Sequence, residues 1–161
     1  MTDDKSNVCL LPNYFQNTYG NLGGDYMSRG FGGYMDLVAN DSTTLMYTYC
    51  CYNVNNDDYK KYMGLADGEI VITRDALVEP EIHSKLKKMP SGRKRIIEKR
   101  IRQDIPWEDL FDSGKVTVKN ASGTWQTNSA GVDIMAFKML FKLFNEYQDT
   151  GEIPEHISWF S

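Results

Sequence analysis

The sequence predicts an α+β fold, in which an antiparallel or mixed sheet packs against a long C-terminal helix and a short basic helical segment lies between. Three observations predict it. Residues 131–148 place apolar side chains at the helical period over five turns. Residues 34–73 break into short runs rich in β-branched and aromatic residues, separated by Asn, Asp and Gly. Residues 80–103 are bounded by prolines and crowded with Lys and Arg. A length of 161 residues, with 41% apolar and 25% charged residues, fits a single domain over residues 1–161.

Residues 1–34 are rich in Asn, Gly and Tyr. The segment is read as a short strand at Val8–Leu11 followed by a long, mobile loop, because its glycines each cost a helix about 1 kcal/mol against Ala. Tyr34–Ala39 begins a strand, and Asn40-Asp41-Ser42 supplies turn chemistry. In Thr43–Tyr52 both alternating sets are largely apolar, the mark of a central strand covered on two faces. Asp57–Leu65 is expected to form a short helix, and Glu69–Thr73 a further strand.

Pro80 suits a first helical turn, so a helix is expected from there to about Met89, ending before Pro90. A second helix, Gly92–Gln103, would follow a Ser91 cap, with Ile97 and Ile101 on its buried side. A short helix after Pro106 would stop at Gly114. Lys115–Lys119 alternates as a strand, with Gly123–Thr127 returning beside it as a hairpin. The helix over 131–148 has an apolar arc too wide for an exposed amphipathic helix, so it belongs in a core. Asp133 falls in its first turn, where a carboxylate offsets unpaired N–H groups. The tail Ile153–Phe160 is apolar enough to dock.

Charge is distributed very unevenly. Residues 85–102 hold nine of the 18 cations and one acid, Glu98, for a local balance of +8; the remainder of the chain stands at −12. On a helix, Lys85, Lys87 and Lys88 would occupy a last turn where cations are favoured. Arg95, Lys99 and Arg102 would share one exposed face able to bind phosphates or an acidic partner. A second candidate surface is acidic and aromatic: Asp57, Asp58, Tyr59, Tyr62, Asp67 and Glu69.

The motifs of common enzyme classes are missing from the sequence: no Gly-x-Ser-x-Gly elbow, no phosphate loop, no Cys-x-x-Cys pair. His83 and His156 have no second His or Cys at ligand spacing, so neither a metal nor another cofactor is expected. An acid–base pair of these two histidines, brought together across the fold, would be the enzymatic alternative. Cys9, Cys50 and Cys51, without a secretory signal or an apolar run long enough to span a bilayer, point to free thiols in the cytoplasm.

In size, acidity and the lack of a recognisable active site, the whole chain resembles bacterial toxin-immunity proteins. The resemblance is one of composition and organisation, with no shared motif, and the basic segment departs from it. It implies a non-enzymatic protein that binds and neutralises a basic toxin domain, such as a nuclease. The alternative expectation is a nucleic-acid-associated or regulatory protein that uses the basic helix 93–102.

Overall fold

A computed structural model describes residues 29–161. The expected strand at Val8–Leu11, most of the glycine-rich loop and Cys9 lie outside the described residues. Among the described residues, seven strands and three α-helices follow in chain order: β1 (Phe31–Asn40), β2 (Thr44–Asn53), α1 (Asp57–Lys60), β3 (Gly68–Thr73), β4 (Glu81–Lys88), β5 (Lys94–Ile101), α2 (Trp107–Asp112), β6 (Val116–Lys119), α3 (Ile134–Thr150) and β7 (His156–Phe160). The fold is α+β, as expected. Among the described residues, five strands form one antiparallel sheet in the order β6-β3-β2-β1-β7, while β4 and β5 pair only with each other.

The described residues cover one face of the large sheet. Pairing of β1, β2, β3, β6 and β7 brings Met35, Leu45, Tyr47, Tyr49, Cys51, Ile70, Ile72, Val116 and Ile157 to the same side, all essentially inaccessible to water. Against them lies α3, through Met135, Ala136, Met139, Leu140, Leu143 and Phe144. The wide apolar arc of this helix has a second cause. Trp107 of α2 packs edge-on against Phe137 and at a tilt against Phe144, each with ring centroids 4.9 Å apart. The helix is therefore held between the sheet and α2, and its buried arc must exceed that of a helix with one neighbour.

Among the described residues, the two-face cover expected for β2 is found on one face. Its second set, Met46, Thr48 and Tyr52, is half-buried on a face that no described helix covers. Cys50 is the exception, closed over by the chain after α1, where its thiol points at the Tyr62 carbonyl. The predicted return strand at Gly123–Thr127 does not form. The neighbour of β6 is β3, and Asn120 instead ties this loop to the start of α3, bonding Gly131 O at 2.7 Å and Asp133 N at 2.9 Å. The tail does dock, as β7 on the free edge of β1.

The largest correction concerns residues 80–103. Both helices expected there, and with them the basic helical segment, are strands: β4 and β5 form an eight-pair antiparallel hairpin from Glu81↔Ile101 to Lys88↔Lys94. The spacing of Ile97 and Ile101 that marked a buried helix side also fits one face of a strand, since residues four apart share a face in both geometries.

Candidate functional site

The turn of the hairpin explains why it forms. Pro90 takes the first central position of the turn, where its fixed φ costs nothing, and Gly92 adopts φ +78°, which other residues avoid. Gly92 N donates to Met89 O at 2.9 Å and Met89 N to Arg93 O at 2.8 Å, closing the strands. Such a left-handed glycine after a turn is a standard hairpin closure.

The base of the hairpin is clamped to the last turns of α3. Arg102 grips Asp149 through both carboxylate oxygens, with Nε at 2.8 Å. This pairing raises the arginine pKa and lowers that of the aspartate. Gln103 N donates to Gln148 Oε1 at 2.6 Å, and Gln148 Nε2 returns a bond to Gln103 O at 3.0 Å. Tyr147 donates its hydroxyl to Glu79. Gly151, the left-handed C-cap, leaves room for Arg100: a Cβ there would stand 2.9 Å from the guanidinium. The hairpin is a rooted arm.

Beyond the root, no described residue covers it. Every residue of β4 is exposed, and so is every residue of β5 but Ile101. One face carries Glu81, His83, Lys85 and Lys87 opposite Ile101, Lys99, Ile97 and Arg95. The other carries Ile82, Ser84, Leu86 and Lys88 opposite Arg100, Glu98, Ile96 and Lys94. Ile82, Leu86, Ile96 and Ile97 keep 52%, 57%, 63% and 41% of their surface in water. Among the described residues, no carboxylate lies within ion-pair distance of Lys85, Lys87, Lys88, Arg93, Lys94, Arg95 or Lys99.

This placement rearranges the basic candidates. Arg95 and Lys99 do share a face, but Arg102 lies past the end of β5 and is spent on Asp149. Lys85 and Lys87, which a helical last turn would have explained away, join Arg95 and Lys99 on the same face. The four exposed apolar residues and the Met89–Pro90 tip escaped sequence reasoning, although Pro90-Ser91-Gly92 between Ile-containing runs is a hairpin signal.

The acidic and aromatic candidates come from one stretch at the end of the large sheet. Asp57 and Asp58 stand exposed in the first turn of α1, and Asn56 caps that turn by accepting from Asp58 N at 3.1 Å. Tyr59 and Tyr62 are half-buried, with ring centroids 6.4 Å apart. The other two have internal tasks. Asp67 accepts from Ser122 N at 2.9 Å and from its hydroxyl, which holds its pKa below the usual carboxylate range. Glu69 stands 3.8 Å from Lys119.

The two histidines do not meet. His83 lies 2.6 Å from Glu81 on the arm, and His156 lies 2.6 Å from Asp36 on the open sheet face, stacked on Tyr34. The other polar cluster is buried: Asp133 Oδ2 accepts from Tyr49 OH at 3.0 Å, Thr124 Oγ1 at 2.9 Å and Cys51 Sγ at 3.1 Å, while Oδ1 caps α3 at Met135 N, 2.8 Å. Burial, helped by this carboxylate, pushes the Cys51 thiol and Tyr49 hydroxyl far up, so both stay protonated donors. The cluster ties β2, the 120–133 loop and α3 together, with no approach for a substrate to the fully buried Asp133.

Among the described residues, no group of three His, Cys, Asp or Glu side chains is arranged to hold a metal. No described helix is long and apolar enough to cross a membrane. No protein-family model matches the chain, and no curated protein or solved structure shows significant similarity to it.

Proposed function

We propose that this protein works by binding, without chemistry of its own, and that its working element is the β4–β5 arm gripping a polyanionic partner. The observation that carries this reading is the arm itself: a rooted ribbon, exposed on both faces, with seven cations that no described carboxylate pairs. Surface charge of one sign is ordinarily interspersed with the other. Here like charges even face each other across the ladder at Lys87↔Arg95 and Lys88↔Lys94, which destabilises an isolated hairpin. A polyanion would offset that repulsion, and the exposed Ile97 would lose water in the same contact. Cys50 and Cys51, as free thiols, fit the cytoplasmic setting that belongs to this reading.

Retention on immobilised heparin tests it. The chain, acidic overall, is expected to bind at low salt and elute on a salt gradient. Reversal of Lys85, Lys87, Arg95 and Lys99 to Glu should send it through unretained with its thermal melt unchanged. Equal retention of both proteins would end the proposal.

A second reading, a toxin-immunity protein, draws support from the exposed Asp57 and Asp58 beside the Tyr59–Tyr62 pair, a patch suited to a basic protein. Capture of one cationic protein at equal stoichiometry, lost on Asp57→Lys with Asp58→Lys but indifferent to the arm, would favour it.

A further inference from the structure

Resting on the polyanion reading, we infer that the partner is duplex DNA and that the arm lies along its major groove. Shape is the first argument. Eight strand residues extend about 26 Å at roughly 3.3 Å each, and the arm is two strands wide throughout. A two-stranded ribbon with its side chains fits the major groove of B-form DNA, about 12 Å wide, and not the minor groove, about 6 Å wide.

The two faces of the ribbon define its orientation. At the root, Arg100 reaches the C-terminus of α3 from the face of Ile82, Leu86 and Ile96, while on the other face Ile101 is half-buried at the very base. The opposite face presents Lys85, Lys87, Arg95 and Lys99 around Ile97. This is the chemistry that the groove floor accepts: Arg and Lys donate to guanine O6 and N7, and an aliphatic side chain meets the thymine methyl. Lys88 and Lys94, paired at the end of the ribbon, and Arg93 in the turn reach the phosphates of the groove wall. On the far face Leu86 sits directly opposite Ile96, a cross-strand apolar pair that helps hold the ribbon together.

The acidic body does not forbid this. At physiological salt, charges more than about 8 Å apart are largely screened. Most of the arm extends past that distance from its root, so its outer cations act on DNA with little opposition from the body. A-form RNA is a different substrate, because its major groove is too deep and narrow for side chains to read.

The test uses the full chain and short fluorescent probes of one mixed sequence: duplex DNA, duplex RNA and single-stranded DNA. Duplex DNA is expected to bind tightest, with affinity falling steeply as salt rises. The three phosphate contacts of Lys88, Lys94 and Arg93 correspond to a log–log slope of roughly −3. Bound protein should shield guanine N7, which lies in the major groove, from methylation, and a minor-groove ligand should not displace it. Arg95→Ala with Lys99→Ala should weaken binding roughly tenfold or more. Lys119→Ala, on the body, should leave binding unchanged.

Equal affinity for all three probes, unprotected N7, or competition by the minor-groove ligand would overturn the groove assignment while leaving heparin binding intact. Loss of heparin binding itself would remove the reading beneath it. Retention on heparin with no DNA binding, or arm-dependent self-association through a second copy's acidic body, would replace DNA as the partner.

Discussion

The body and the arm are both antiparallel β-structure, and they use alternation for opposite ends. In β2, Leu45, Tyr47, Tyr49 and Cys51 point one way into a dry core, so one face of the strand supplies stability. In β4 and β5 no described residue covers either face, and what would be core positions hold Lys85, Lys87, Arg95 and Lys99. A two-stranded hairpin alone is only marginally stable in water. This one persists because its root borrows from the body through Arg102–Asp149, Gln103–Gln148 and Tyr147–Glu79. Stability is concentrated in one region, and the other is left available for contact.

The sharpest way to test that division is to delete equivalent apolar volume from each region. Leu143, fully buried in α3 against the sheet, should cost about 2–5 kcal/mol when changed to Ala. Ile96, more than half exposed, should cost about 0.5 kcal/mol or less. Urea unfolding of the two variants measures both. Similar losses would mean that the arm is packed against something in the free protein.

Next in size is Asp133→Ala. It strips the helix cap and leaves Tyr49, Thr124 and Cys51 donors buried without an acceptor, for a loss of roughly 2–4 kcal/mol in denaturant midpoint experiments. Asp133→Asn keeps the cap acceptor and should fall between. Replacing residues 82–100 by a short turn should cost far less, about 1 kcal/mol or under, because no buried side chain leaves with them. A collapse of cooperative unfolding in that variant, which keeps the root clamps, would show the arm itself to support the core.

The same contrast explains what could be read from the sequence. The apolar arc of α3 was legible because a buried helix face must be apolar every three to four residues; Asp133, expected inside a first turn starting near Gly131, is instead the N-cap, and the helix begins at Ile134. Strands β1, β2, β3 and β6 were legible for the corresponding reason. The arm was not, because period-2 alternation is written by a core, and a ribbon with no core face need not alternate. Adjacent Ile96 and Ile97 point to opposite faces and are both exposed, a pattern that blurs any strand period. Lys, Arg and Glu then tilt a propensity reading toward helix. For the site, the charge asymmetry was visible in the sequence. The grouping of Lys85 and Lys87 with Arg95 and Lys99 depended on knowing which strand faces which.

The smallest predicted effect contrasts the two turns. Between β1 and β2, Asp41 accepts from Thr43 N at 2.8 Å and Thr44 N at 2.7 Å, and from both threonine hydroxyls at 3.0 Å. These donors favour the ionised carboxylate and lower its pKa from 3.8 to about 2. A pKa depressed in the folded state adds stability that is fully present above the unfolded value near 4 and is lost as pH falls through about 2. The turn of the arm relies on backbone bonds between Met89, Gly92 and Arg93, which do not titrate. Carboxyl NMR should therefore give an Asp41 midpoint near 2, with the Thr43 and Thr44 amides losing exchange protection between pH 4 and pH 2. Met89 and Gly92 should hold theirs across the same range, and Asp41→Asn should abolish the pH dependence at the first turn alone. If both turns loosened together, the arm would be coupled to the sheet more closely than its root contacts require.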